Sequence, residues 1–318
     1  MPRYYDVFNG DADGICALHQ LRLAEPRDAQ LVSGVKRDIR LLARVEAGAE
    51  EITVLDISMA SNREDLVRLL ATSRVVYIDH HYPGDIPVSD RLTAHIDPAP
   101  EICTSLIVDR LLAGRFRPWA VAAAFGDNLH DAARRAAASL DLDEDRLSRL
   151  RELGELFNYN GYGRTPEDLH FRPEELYQAV RPYEDPFAFL DDSDTLSRLR
   201  DGFHDDMRRA RGLAPEMVGG VGRLYRLPAV AWSRRVAGVF ANEVAREQPD
   251  LAHALLVDNG DDTWMVSVRA PLSRRRGADR LCRAFPTGGG REAAAGINAL
   301  PTAMLDEFCH AFVKTFTP

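Results

Sequence analysis

An aspartate followed by two histidines, Asp79-His80-His81, closes the apolar run Val75-Val76-Tyr77-Ile78. One acid beside two imidazoles is a donor set for a transition metal or for proton transfer. Two other apolar runs also finish in acids: Tyr4-Tyr5-Asp6-Val7-Phe8 leads into Asn9-Gly10-Asp11-Ala12-Asp13-Gly14, and Ile52-Thr53-Val54-Leu55 leads into Asp56. Carboxylates gathered closely repel and resist ionisation, so either their pKa values climb or cations neutralise them. Divalent metal is the answer this pattern favours, and mixed imidazole and carboxylate ligands suit manganese, iron or zinc better than calcium.

Short β-branched runs bounded by polar residues read as buried strands. In an open parallel sheet, ligand chemistry collects beyond the carboxyl ends of the strands. Three parallel strands would therefore deliver Asp11, Asp13, Asp56, Asp79, His80 and His81 to one edge. A helix over 62–71, with Ser61 or Asn62 as cap and an acidic first turn, supplies the crossover between the second and third of these strands. Another helix runs from Ile15 to Leu23, and the strand Leu31–Val35 ends in Lys36-Arg37-Asp38. Lys36 and Arg37 either meet phosphate at the strand edge or belong to a solvated loop. A further strand over 92–97 precedes helices over 103–112 and 118–125, the second ending in Phe125-Gly126-Asp127-Asn128, and residues 131–156 continue as helical cover.

Asn158 to Pro166 reads as a loop whose Tyr159 and Tyr162 either stack a base or pack inward as an interdomain strut. Short helical stretches follow around 173–180 and 187–200. From Val221 strands and helices alternate again: strands over 222–227 and 254–259 flank a helix over 233–246. The turn Asn259-Gly260-Asp261-Asp262 leads into a strand over 263–269, and a helix over 302–316 ends the chain. Gly288, Gly289 and Gly290 allow backbone N–H groups to close on phosphate oxygens, and Ala293-Ala294-Ala295-Gly296 after them favours a tight helix entry over a merely flexible loop.

A chain of 318 residues exceeds what one core organises, so two domains are expected. A composition of 45% hydrophobic and 28% charged residues is that of an ordinary soluble protein. The net charge of −9 argues against a broad grip on duplex nucleic acid but not against a small phosphorylated ligand in a local basic pocket. Cys16, Cys103, Cys282 and Cys309 are scattered and read as reduced, buried thiols. No leader pattern and no membrane-length apolar run is present, which places the expected protein in a bacterial-type cytoplasm.

Asp11-x-Asp13-Gly14, Asp56 after a strand and Asp79-His80-His81 after the next resemble motifs I to III of the DHH phosphoesterase superfamily. Gly288-Gly289-Gly290-Arg291-Glu292-Ala293-Ala294-Ala295-Gly296 resembles the glycine signature of the associated DHHA1 domain, most like the RecJ and NrnA group. The resemblance implies an N-terminal α/β DHH domain over 1–156, with helices on both faces of a parallel sheet. A helical linker over 157–218 and a smaller α/β DHHA1 domain over 219–318 would follow. It implies two divalent cations, manganese above all: Asp11 on the first, Asp13 on the second, Asp56 bridging, and His80 with Asp127 completing the second site. Asp79 would orient its neighbouring histidine, His81 would face the phosphate, and Arg269, the three glycines and Arg291 would bind substrate.

Two departures stand out. Asn9, which could serve as a weaker, neutral ligand of the first metal, lies nearest to where many relatives carry a histidine, and Arg291 replaces the histidine of the glycine signature, where as a catalytic residue it could still grip the scissile phosphate. The implied activity is hydrolysis of short single-stranded RNA or DNA, or of a linear dinucleotide such as pGpG, to nucleoside monophosphates. A catalytically impaired nucleotide-binding protein and, less favoured, an inorganic pyrophosphatase are the alternatives. Relatives often dimerise, so a homodimer is the assembly to test, although no run of residues marks a seam.

Overall fold

The computed structural model describes residues 3–317, which fall into two compact units, one ending at Gly202 and the other beginning at Phe203. The first unit opens with β1 (Tyr4–Asn9), α1 (Ala12–Ala24), β2 (Gln30–Gly34), β3 (Glu51–Leu55), α2 (Arg63–Leu70), β4 (Arg74–Asp79) and β5 (Leu92–Ile96). It continues through α3 (Thr104–Leu111), α4 (Arg117–Gly126), α5 (His130–Ala137), α6 (Glu144–Asn160), α7 (Pro173–Val180) and α8 (Pro186–Asp192). The strands pair in parallel in the order β2-β1-β3-β4-β5. From β1 the chain steps first to one side, into β2, and later to the other, into β3. The crevice left beyond the carboxyl ends of β1 and β3 is where such sheets build sites.

Alternation along the strands sorts the faces. Tyr5, Val7, Ile52, Val54, Val75 and Tyr77 pack with Leu66 and Leu69 of α2 in one buried cluster. On the other face Asp6 and Thr53 reach α1, where Arg22 donates to Asp6 Oδ2 at 2.8 Å and to Thr53 Oγ1 at 2.9 Å, all buried. A buried guanidinium satisfied in this way fixes the angle of α1 on the sheet, because removing one partner would strand a charge in the interior.

The helical cover differs from the expected pattern in detail. Residues 131–156 break into α5 and α6, and α6 runs on through Asn160, so Asn158, Tyr159 and Asn160 form a last helical turn instead of a loop. Tyr159 is buried with its hydroxyl on His170 Nε2 at 2.7 Å, which removes it as a stacking platform. Residues 157–202, read from sequence as part of a linker, lie in the first unit: Trp119 Nε1 donates to the Glu184 carbonyl at 2.8 Å.

α9 (Asp194–Arg211) runs across the division. The second unit contains β6 (Glu216–Val218), β7 (Gly222–Leu227), α10 (Ala231–Glu247), β8 (Ala252–Asp258), β9 (Thr263–Arg269), α11 (Ala278–Arg283), β10 (Gly288–Gly290), β11 (Ala294–Pro301) and α12 (Leu305–Phe316). Its sheet has the order β10-β11-β9-β8-β7-β6, with β7 and β8 parallel around the crossover α10 and the other pairs antiparallel. Phe285, Phe308, Phe312 and Phe316 close the core over this sheet. The helix entry expected after the triple glycine is instead a hairpin, Gly288–Gly290 pairing with Ala295–Ile297. Glycine is required there by close approach: a Cβ on Gly288 would lie 1.8 Å from the Cys282 carbonyl oxygen.

Candidate metal centre

The turn after β1 is shaped by its own side chains. Asp11 caps α1, its Oδ1 accepting from the N–H groups of Asp13 at 3.0 Å and Gly14 at 3.2 Å. Gly14 is obligatory, since a Cβ there would stand 2.2 Å from the Asn9 carbonyl oxygen. Asp13, fully buried, plays the same part for a different helix: the N–H groups of Thr104 and Ser105, opening α3, donate to its two oxygens at 2.7 Å each. Both carboxylates thus sit at helix N-termini, where negative charge is favoured.

Asp56 and the histidines arrive from β3 and β4. Asp56 has φ 57, a left-handed conformation uncommon outside glycine, held by its N–H on the Ile78 carbonyl at 3.1 Å. Its Oδ1 accepts from Thr104 Oγ1 at 3.1 Å. His80 Nδ1 lies 2.9 Å from the Ile102 carbonyl oxygen. A carbonyl only accepts, so Nδ1 carries a proton and Nε2 is the ring nitrogen turned to the cluster, 3.4 Å from Asp56 Oδ1 and 3.8 Å from Asp127 Oδ2. Asp79 is fully buried and pairs with His81 Nδ1 at 2.7 Å. The neighbour that Asp79 orients is therefore His81, while a backbone carbonyl orients His80.

Asp127 follows the last residue of α4, and close helix packing brings it in. A Cβ on Gly126 would lie 2.5 Å from the Ala12 Cβ, and one on Gly154 would lie 1.9 Å from the Ala122 carbonyl oxygen. Asn128, at φ 60, ends the helix. A carboxylate at a helix C-terminus is electrostatically disfavoured, so Asp127 needs a cation beside it. Asp13, His80 and Asp127 bring ligand atoms within 4.8 Å of one another, as do Asp56, His80 and His81.

Lys36 is the cation already there. Its Nζ lies 2.5 Å from Asp11 Oδ2, 3.0 Å from Asp127 Oδ1 and 2.8 Å from Asn158 Oδ1, with the Tyr162 ring centroid at 5.7 Å. Its backbone is clamped as well: the N–H donates to the Gly161 carbonyl at 2.8 Å, and its carbonyl accepts from Asn9 Nδ2 at 3.2 Å. Arg37, by contrast, is exposed in the turn beyond it. Asn9 is buried and its Oδ1 has no partner among the described residues. The sequence offers Lys36 as a strand-end base that could meet phosphate, not as a partner of the acids, and gives no sign of Asn158, Ile102 or Thr104. Nothing local to those residues signals a site.

The charges answer one another. Burial alone would push the Asp11 carboxyl up, yet the Lys36 ammonium holds it below the usual carboxylate range. The same acids hold the Lys36 ammonium well above its ordinary range against its own burial. Asp56, buried among Asp13, Asp11, Asp127 and Asp79, is pushed well up, and Asp127 is raised, by burial first. Desolvation works against a charged His81, but its hydrogen bond to Asp79 raises it above its ordinary value.

In the second unit Arg269 ends β9 opposite Ala294, one register step from the Gly290–Ala295 pair. Arg269 Nε donates to Asn242 Oδ1 at 2.7 Å and Nη1 to Ser267 Oγ at 3.0 Å. Arg291 is exposed at the β10–β11 turn, where it and Ala294 exchange backbone hydrogen bonds of 2.9 and 3.1 Å. Arg269, the three glycines and Arg291 thus gather at one end of one sheet.

Sequence comparison matches no family model and no curated protein. Solved structures do match over nearly the whole chain. One is a manganese-bound RecJ exonuclease, at 16% identity and TM-score 0.63, covering 98% of this chain and 89% of that one. The chain has the DHH fold. A DHH-domain protein described as a member of the s1p family of ribosomal proteins matches at 13% identity and TM-score 0.64, over 98% and 85% of the two chains. PggH, a pGpG-specific phosphodiesterase of Vibrio cholerae, matches at 15% identity and TM-score 0.54, over 98% of each.

The two groups that could hold an ion share His80, so they describe overlapping positions. Asp13, His80 and Asp127 form a mixed carboxylate and imidazole set, with Asp56 Oδ1 3.4 Å from the same His80 Nε2. Asp11 does not join them: one oxygen caps α1 and the other is taken by Lys36.

Proposed function

We propose that this protein is a metal-dependent phosphodiesterase that hydrolyses short single-stranded oligonucleotides or linear dinucleotides to nucleoside monophosphates. The observation that carries the reading is His80, whose Nδ1 is committed to a backbone carbonyl and whose Nε2 faces the carboxylates of Asp56 and Asp127. That is the preparation of a metal ligand. The likeness in fold to RecJ and PggH supports a nucleic-acid or dinucleotide phosphodiester as substrate.

A divalent cation held by Asp13, Asp56, His80 and Asp127, manganese by preference, supplies Lewis-acid polarisation of a phosphoryl oxygen and a more acidic water. The chain's own residues do the rest. His81, held by Asp79 and 42% exposed at its side chain, has its protonated form favoured by that contact and in that form can donate from Nε2 to a phosphoryl or leaving oxygen. A cysteine nucleophile is disfavoured, because burial, then nearby acids, push the Cys16 and Cys103 thiols well up. Arg269 and Arg291 would hold a substrate phosphate, the glycine hairpin offering its backbone beside them. The alternative of a nucleotide-binding protein without turnover is favoured by one observation, the Lys36 ammonium inside the acid cluster.

The deciding experiment incubates manganese-loaded protein with 5′-phosphorylated RNAs from dinucleotide to decamer, with linear pGpG and with pyrophosphate, and follows products by chromatography. Mononucleotide release, fastest from the shortest RNAs, is expected. Pyrophosphate turnover alone, or tight nucleotide binding with no product, would overturn the reading.

A further inference from the structure

We propose that Lys36 takes the place of the first of two divalent cations, so that this centre holds one metal ion and one fixed ammonium. The inference rests on reading the acid and histidine cluster as a metal centre, but not on which substrate it cleaves.

Three features converge. An ammonium has three N–H donors, and Lys36 has three acceptors at hydrogen-bond distance: Asp11 Oδ2, Asp127 Oδ1 and Asn158 Oδ1. They come from the β1–α1 turn, the end of α4 and the last turn of α6, so the head group is held from separate elements. Second, the backbone of Lys36 is anchored at both its N–H and its carbonyl, the latter by Asn9. The side chain enters the cluster from a fixed root. Third, Asn9 stands in the motif I turn as a neutral amide, and its Nδ2 is spent on the Lys36 carbonyl. Its Oδ1, left without a partner among the described residues, is a neutral oxygen and a weaker donor than an ionic or imidazole ligand.

The two cations are not equivalent in what they do. An ammonium neutralises carboxylates as a metal ion would, but it has no orbital to accept a water or a phosphoryl oxygen. With its three donors saturated, Lys36 has none to spare for substrate. It is a positioning residue: it keeps Asp11 and Asp127 together and leaves Asp127 Oδ2 directed to His80, 3.8 Å away. All Lewis-acid chemistry then falls to the single ion at Asp13, Asp56, His80 and Asp127.

The test is metal stoichiometry and spin state. Full-length protein, stripped with chelator, is titrated with manganese, and bound metal is measured by elemental analysis and electron paramagnetic resonance. One ion per chain with an isolated high-spin signal is expected, and two ions, an exchange-coupled spectrum or no bound ion would overturn the proposal. In Lys36→Ala the freed acids should take a second ion with exchange coupling, and a variant that still binds one would show that the ammonium is not what excludes it. Should Lys36→Ala not fold, Lys36→Met keeps the packing and is read the same way, with a larger manganese-induced rise in Tm than wild type expected and an equal rise counting against. Oligonucleotide hydrolysis is scored separately: one bound ion without turnover would sink the enzyme reading and leave the stoichiometry standing.

Discussion

The N–H of Ser105 donates to Asp13 Oδ1 at 2.7 Å, joining the start of α3 to the turn after β1 across 92 positions of sequence. Thr104 does the same to the other oxygen. Asp13 is therefore a helix cap as well as a candidate ligand. In metal-free protein, Asp13→Ala should lower stability by about 1–2 kcal/mol in urea denaturation, the loss of two buried donors' partner outweighing the relief of repulsion with Asp56. His80→Ala, which removes a partly exposed side chain, should leave metal-free stability nearly unchanged while abolishing high-affinity manganese binding. Equal destabilisation by both would mean that Asp13 caps nothing.

Asp79→Asn should lower turnover by roughly 10–100-fold with manganese affinity nearly kept, because Asp79 holds His81 and not the ligand His80. Steady-state kinetics beside manganese titration checks this. A large fall in metal affinity would place Asp79 behind His80 after all.

Gly154→Ala puts a methyl group against the Ala122 carbonyl, where 1.9 Å is available. α4 and α6 must part, at a cost of about 1–3 kcal/mol. Because Asp127 caps α4, manganese affinity should fall as well, without any ligand having been touched. Thermal denaturation and a manganese titration measure the two effects independently.

Arg291→Ala should raise KM for short RNA without altering metal stoichiometry, since Arg291 lies in the second unit, outside the acid cluster. Unchanged KM would remove it from substrate binding.

His19 carries a pH dependence of stability. It is 1% exposed, its Nε2 donates to the Tyr183 carbonyl at 2.8 Å, and the Trp119 ring lies edge-on at 4.6 Å. Burial lowers its pKa from 6.5 to about 4 despite that hydrogen bond. Between these values the unfolded chain binds a proton that the folded chain refuses. The contribution is full above pH 6.5 and is lost as pH falls towards 4, amounting to about 3 kcal/mol. Urea denaturation across this range should show wild type losing stability relative to His19→Gln, and parallel curves would rule His19 out.

Legibility followed the range of the physics involved. Strands β1, β3 and β4 and the acids and histidines at their ends were readable because β-branched runs and their polar stops are local signals. The parallel order then forces those ends to one edge. The hairpin at Gly288 was misread because its cause is a close approach to Cys282, which composition cannot register. Lys36 reads from sequence as a base that could meet phosphate but not as the partner of the acids, because its three acceptors lie on different elements and Asn158, expected in a loop, belongs to a helix end. Asp127 was placed by order of elements alone, and its reach depends on Gly126 and Gly154 meeting neighbouring backbone, a contact between helices distant in sequence.

Lys36 depends on Asn158, and that contact makes the centre a late event in the life of the chain. A ribosome releasing the first hundred residues would already have exposed the acids of β1, β3 and β4. The lysine's third acceptor and the helix that seats Asp127 would still be unmade. Non-local contacts of this span form slowly, so the nascent domain should pass through an interval in which Asp11 can pair with Lys36 while Asp13 and Asp56 have no cation beside them. Manganese present during synthesis or refolding should shorten that interval, which makes the yield of refolded protein sensitive to when the ion is added and not only to whether it is.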